Sequence, residues 1–221
     1  GFYGMVFQDS DAYKWLEAAA YAIADKPDKE LEQKADELIG IIADAQDKDG
    51  YLNTYFTVKD TEKRWTDLLE GHELYCSGHL IEAACAYYEA TGKRSLTDIA
   101  VKNAECIYDR FIAQKHEGIP GHPEIELALL RLYRLTGNRH FLRLSEHLNE
   151  RGKAPDFWAR EAENRSWTVW NSDPWDNDYR QSAKPVREQT EATGHAVRAV
   201  YLYTGMADLA SETDDKELFS A

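Results

Sequence analysis

Three apolar-periodic segments of this chain close on the same tag, a Tyr-containing turn followed by Thr-Gly: "YYEATG" (87–92), "LYRLTG" (132–137) and "YLYTG" (201–205). The first two continue with Lys-Arg or Asn-Arg into a second periodic segment, "SLTDIAVKNAECIYDRF" and "RHFLRLSEHLNERG". Glycine at the end of a helix readily takes the left-handed conformation that terminates it. Apolar residues three and four apart give each helix one stripe that only a neighbour can cover. The unit is therefore a helical hairpin, repeated. The tags lie 45 and 68 residues apart, too unequal for a regular solenoid, so a closed ring of hairpins with loop insertions is expected. In such an all-α ring the helices at 72–92, 122–137 and 191–204 form an inner layer whose N-terminal ends are adjacent.

Upstream, "DAYKWLEAAAYAIA" sets Tyr13, Leu16, Ala20 and Ile23 on one stripe, with Asp9, Ser10 or Asp11 available as a cap. "KELEQKADELIGIIADAQ" does the same with Leu31, Leu38, Ile41, Ile42 and Ala45, and Gly50 ends the segment. "YLNTYF" reads as short and extended, followed by a polar connection that contains Trp65.

The balance of 40 acidic against 26 basic residues, a net charge of −14, excludes nucleic acid as a partner, because that binding needs a basic surface. No stretch is apolar for long enough to span a bilayer, so no membrane partner is expected, and no signal peptide opens the chain. It begins without Met, as after removal of a leader or inside a longer protein. Three widely spaced cysteines, Cys76, Cys85 and Cys106, suit a reducing compartment and a cytoplasmic protein better than a disulfide framework. Six Trp, 13 Tyr and 7 Phe suit the stacking of ring faces on sugars. By charge, a neutral or cationic small molecule is the expected partner; the sequence sets no oligomeric state.

Residues 155–185 form a polar, turn-rich insertion that carries four of the six tryptophans, unlike a disordered loop. Those rings are either functional or pinned to the body. Three histidines follow glycine near the start of the first helix of a pair: His72 in "EGHELY", His122 in "PGHPEIEL" and His195 in "TGHAVRA". If the inner helices start on one face, the three converge above a common funnel. Glycine beside each would let the backbone approach a ligand, and the helix N-terminus adds positive potential. His116, His140 and His147 lack this placement and are expected at the surface; His79 is expected in a supporting or core position. His72, Cys76 and His79 would share a helix face, but the familiar helical zinc motif is His-Glu-x-x-His. Position 76 is cysteine and no CxxC accompanies it, so no metal site is expected within this chain.

The motifs "GYLNTYF", "HELYCSGHLIEAA", "IPGHPEIELALLRLYRLTG" and "PVREQTEATGHAVRAVYLYTGMADLA", in this order, resemble glycoside hydrolase family 127, the bacterial β-L-arabinofuranosidases; "VFQDSDAYKWLEAAAYAIA" resembles the start of that family's domain. The resemblance spans nearly all of 1–221. It implies an (α/α)6 barrel, here as the N-terminal portion of the catalytic domain, and a retaining hydrolase of carbohydrate metabolism that releases terminal L-arabinofuranose from plant-derived oligosaccharides. It maps sugar contacts onto His72, Pro120, Gly121, His122 and His195. It also implies a cysteine nucleophile, held on zinc with other cysteines and a glutamate, and a separate glutamate acid/base. The Glu-Thr-Cys and Cys-Cys motifs for these roles do not occur here, so no catalytic residue is assigned, and the zinc ligands are expected downstream. Two alternatives stand beside this reading. One is a different carbohydrate-active enzyme on the same ring, using carboxylates among Asp9, Asp11, Glu73, Glu124 and Glu191. The other is a non-enzymatic helical-repeat binding module.

Overall fold

Helix α4 (Glu73–Thr91) is apolar on nearly every side, and thirteen of its residues, from Glu73 to Tyr87, are buried. A helix with no polar face needs neighbours all round. In the computed structural model, which describes residues 2–221, it has them. Helix α1 (Asp9–Asp25) packs on one flank and α6 (Ile125–Thr136) on the other, and α6 in turn packs on α9 (Ala196–Thr213). Behind this inner row stand α2 (Lys29–Ala45), α5 (Ser95–Tyr108), α7 (Arg139–Asn149) and the short α10 (Lys216–Ser220). The fold is all-α with the inner–outer alternation of an (α/α)6 barrel, seen as an arc. Among the described residues every regular element is helical, and no helix is long and apolar enough to cross a membrane.

The Thr-Gly tag is a local device. Gly92 and Gly137 both have φ +72°, and their N–H groups donate to Tyr88 O (2.8 Å) and Tyr133 O (2.7 Å). Thr91 and Thr136 donate from Oγ1 to Tyr87 O and Leu132 O, and the same oxygens accept from Lys93 N and Asn138 N. Orphan carbonyls are thus satisfied and the chain is turned into the outer helix.

The third tag behaves differently. Helix α9 runs through Gly205 to Thr213. Met206, Leu209 and Ala210 continue its buried stripe, and a Cβ on Gly205 would lie 3.0 Å from Glu126 Cβ. Here glycine serves close helix packing and not termination. The helix also begins at Ala196, five residues after the expected start.

Other expectations need similar correction. Tyr13, Leu16, Ala20 and Ile23 are buried as a stripe, but none of Asp9, Ser10 or Asp11 caps α1. Asp9 instead accepts from Thr54 N and Thr54 Oγ1. With Asn53 accepting from Phe56 N, that bond starts a short helix α3 (Thr54–Lys59) in "YLNTYF", where an extended segment was expected. Ile41 is 66% exposed, on the far side of α2 from Ile39 and Ile42. The insertion contains one α-helix, α8 (Phe157–Glu163), whose Trp158 is buried, and a 3-10 turn at Asp178–Arg180.

Candidate functional site

The turn that begins α4 is wound tightly. Gly71 N donates to Asp67 O (2.7 Å) and Glu70 N to Asp67 Oδ1 (3.0 Å). His72 follows with φ +56°, a left-handed conformation that costs a non-glycine residue about 1–3 kcal/mol and that clusters at functional sites. "IPGH" is stitched onto this turn: Gly121 N donates to Leu68 O (2.9 Å), and a Cβ there would meet Leu69 O at 2.2 Å. At the start of α9, His195 N donates to Tyr179 O (3.1 Å), while a Cβ on Gly194 would lie 2.1 Å from Asp178 O. The glycine beside each histidine therefore lets backbone segments pack on one another; the expectation that it admits a ligand is not needed.

The three rings meet. His72 and His122 are 5.7 Å apart between centroids, and His122 and His195 6.2 Å. All three are half-buried. Tyr75 and Tyr201 flank His122 at 4.6 and 5.8 Å, Trp170 abuts His72 at 5.5 Å, and Tyr179 abuts His195 at 5.2 Å. His122 itself stands in a loop three residues before α6, not on the helix. Pro120 and Gly121 are buried beneath it, and the Pro120 carbonyl accepts from Arg151 Nη2 (2.6 Å).

Hydrogen bonding sets the tautomers. His72 Nδ1 lies 2.6 Å from Glu70 O, and His122 Nδ1 2.8 Å from Pro123 O. A carbonyl only accepts, so both rings carry their proton on Nδ1 and leave Nε2 as an acceptor. His195 is the reverse: its Nδ1 accepts from Arg198 N (3.4 Å), so its proton sits on Nε2. Burial, reinforced by the Arg198 charge, lowers the pKa of His72 to about 4 and of His122 to about 3, and both are neutral near pH 7. The rim thus presents two acceptors and one donor.

Arg198, Tyr75 and Tyr201 were not singled out in the sequence, and Trp170 only as one of the four tryptophans of the insertion. Arg198 and Tyr201 follow His195 at i+3 and i+6, a helical spacing that would have found them. Burial lowers Arg198 to about 10, so it remains charged, and its Nε and Nη1 have no partner.

His79 lies in the core, 4.5 Å from Tyr75 and 3.4 Å from Glu124 Oε1. Burial holds His79 at about 3 and pushes Glu124 well up, so this contact joins two neutral groups and is not an ion pair. Glu73 is buried too; burial raises it to about 8, against the Tyr51 hydroxyl and the Trp65 N–H that it accepts. Asp9 holds Thr54, whereas Asp11 and Glu191 are exposed. The candidate carboxylates do not assemble. Of the three histidines expected at the surface, only His140 is exposed. His116 and His147 are half-buried and line a cavity of about 1070 Å³. Its Arg187 is already paired with Asp215 and Glu150.

Burial raises all three thiols, Cys85 to about 12 and Cys106 to about 11. Among the described residues no group of three His, Cys, Asp or Glu side chains could hold a metal ion.

The family model for the catalytic domain of GH127 β-L-arabinofuranosidases matches residues 1–221. The chain belongs to glycoside hydrolase family 127. The non-reducing end β-L-arabinofuranosidase of Bifidobacterium longum subsp. longum is 44% identical over a 231-residue alignment, which covers 98% of this chain and 34% of that protein. A GH127 β-L-arabinofuranosidase from Geobacillus stearothermophilus T6 superposes with a TM-score of 0.91 at 50% identity, over 98% of this chain and 35% of the other. A second family structure, described as a β-arabinofuranosidase, gives 0.85 at 37% identity, over 100% and 34%. The chain therefore spans about a third of the length of the relatives it matches.

Proposed function

We propose that the three imidazoles bind the terminal ring of an L-arabinofuranoside, in a retaining β-L-arabinofuranosidase of which this chain is the N-terminal portion of the catalytic domain. The observation that carries this reading is the rim itself: the His122 ring stands 5.7 Å from that of His72 and 6.2 Å from that of His195, and backbone hydrogen bonds orient all three. A furanose is small and offers several hydroxyls, each both donor and acceptor. Recognition then rests on a few convergent partners more than on buried area. His72 Nε2 and His122 Nε2 accept hydroxyl protons, and the Nε2–H of His195 donates to a hydroxyl oxygen. Family membership and the activities printed for the relatives support the sugar class.

The buried thiols do not supply the nucleophile, because the thiolate is the reactive form and burial suppresses it here. Nucleophile, acid/base and zinc are proposed to come from parts of the protein outside these residues. Alone, the 221-residue chain should bind sugar weakly and catalyse nothing. Its free cysteines support a bacterial cytoplasmic location.

The test is a panel of methyl glycosides given to the full-length protein: β-L-arabinofuranoside, its α anomer, β-L-arabinopyranoside and β-D-xyloside. Hydrolysis of the first alone, with retained configuration in the initial NMR spectrum, is the expected result. Inversion, or cleavage confined to another member of the panel, overturns the reading.

A further inference from the structure

Glu70 ties two parts of the site together. Its backbone carbonyl holds the His72 ring (2.6 Å), while its buried carboxylate accepts from Thr168 Oγ1 (2.7 Å), Val169 N (2.8 Å), Trp170 N (2.6 Å) and Ser172 N (2.6 Å). Three backbone amide donors, from Val169, Trp170 and Ser172, and a hydroxyl converging on one carboxylate immobilise a stretch of loop that has no regular structure of its own. Of the tryptophans in the insertion, Trp158 is buried and donates to Ser182 Oγ, and Trp167 is half-buried and donates to Thr66 Oγ1. These two are pinned to the body. Trp170 is different. Its backbone is held as firmly as any in the loop, yet 43% of its surface is exposed. Phe7 backs the indole in a stacked arrangement (6.2 Å, 29°), and His72 meets it almost perpendicularly at 5.5 Å. Fixing an apolar ring in water, beside the rim, contributes little to folding. It provides a preformed surface for a ligand.

We propose that Trp170 is the stacking platform for the second sugar ring of an oligosaccharide whose terminal ring occupies the histidine rim. The proposal rests on the sugar-binding reading of that rim. An indole face is apolar and rigid, which suits the C–H face of a sugar, and the adjacency to His72 places it one ring away from the terminal residue. Specificity for an oligosaccharide over a simple glycoside would then reside in Trp170, and Glu70 would keep the platform in register.

The experiment compares KM and kcat for methyl β-L-arabinofuranoside and for a β-L-arabinofuranosyl disaccharide, using the full-length protein and its Trp170→Ala, Trp170→Phe and Trp175→Ala variants. Trp170→Ala should raise KM for the disaccharide about tenfold relative to the methyl glycoside. Trp170→Phe should recover most of the difference, and Trp175→Ala, in the same loop and 63% exposed, should show none. If Trp170→Ala weakens both substrates equally, or neither, the platform is refuted while the rim stands. If the wild type cleaves neither compound, the rim reading fails and takes the platform with it.

Discussion

Replacing His122 by Ala tests the rim at its centre, because this ring touches both other histidines. The substitution removes one hydrogen bond, Nδ1–H to Pro123 O at 2.8 Å, worth about 1 kcal/mol net. It also removes the packing of this half-buried ring against Tyr75 and Tyr201, about 1 kcal/mol more. A loss of about 2 kcal/mol leaves a typical domain folded. Binding suffers differently. A sugar hydroxyl loses its acceptor in a half-buried site, at a cost of about 1–3 kcal/mol, or roughly a tenfold to hundredfold loss in kcat/KM. The ring stays neutral until the pH falls to about 3, so the loss should be the same at pH 5 and pH 8. An ordinary histidine would protonate across that range, and its contribution would change. The assay is kcat/KM of the full-length protein on methyl β-L-arabinofuranoside, with a circular-dichroism melt beside it. His140→Ala, on the outer helix α7, is the control; half-buried His116 is unsuitable because it packs on Phe111. Wild-type activity of His122→Ala would refute the rim. Unfolding would make His122 a core residue, and a loss that fades below pH 6 would refute the neutral-imidazole argument.

Gly78→Ala would place a Cβ 1.3 Å from Glu124 Oε2 and 2.8 Å from Ile125 N, so α4 and the loop that carries His122 must separate; urea unfolding should show a loss of about 1–3 kcal/mol. Burial favours the protonated form of Glu70, but the donors from Ser172, Trp170 and Thr168 outweigh it and hold the group at about 2, below its ordinary 4.5. A depressed carboxylate stabilises the fold above pH 4.5 and loses that contribution as the pH falls toward 2. The stability gap between wild type and Glu70→Gln, about 2 kcal/mol at pH 6, should therefore shrink at pH 3 in urea titrations. Cys76 and Cys85, buried and raised by burial, should resist alkylation by iodoacetamide in the native 221-residue chain and react on unfolding, as followed by mass spectrometry. Metal analysis of the same chain should find no stoichiometric zinc; one tightly held equivalent would overturn the cysteine reading.

Signals that act within a few residues were legible in the chain itself. The hairpin unit was, because Thr-Gly at 91–92 and 136–137 satisfies its bonds with the preceding turn alone, and the buried stripe of α1 follows from spacing. The equivalence of His72, His122 and His195 was also visible, since each follows glycine near the start of a predicted inner helix. Tertiary structure decided the remainder. Thr204-Gly205 reads like the other tags, but the helix runs on through it, packed so closely on α6 that a Cβ on Gly205 would meet Glu126 and Leu127. In "YLNTYF" the cap Asn53 is local, but the second acceptor at the helix start comes from Asp9, 45 positions before Thr54. Glu73 and Glu124 look like solvated carboxylates in sequence, and only packing shows them buried and held neutral. Which tryptophan is pinned and which is presented depends on Glu70 reaching across about a hundred residues to Val169, Trp170 and Ser172. Local hydrogen bonding and periodicity need only near neighbours, so one sequence displays them. Protonation state, exposure and convergence depend on what folding brings alongside, and no short stretch of sequence contains that.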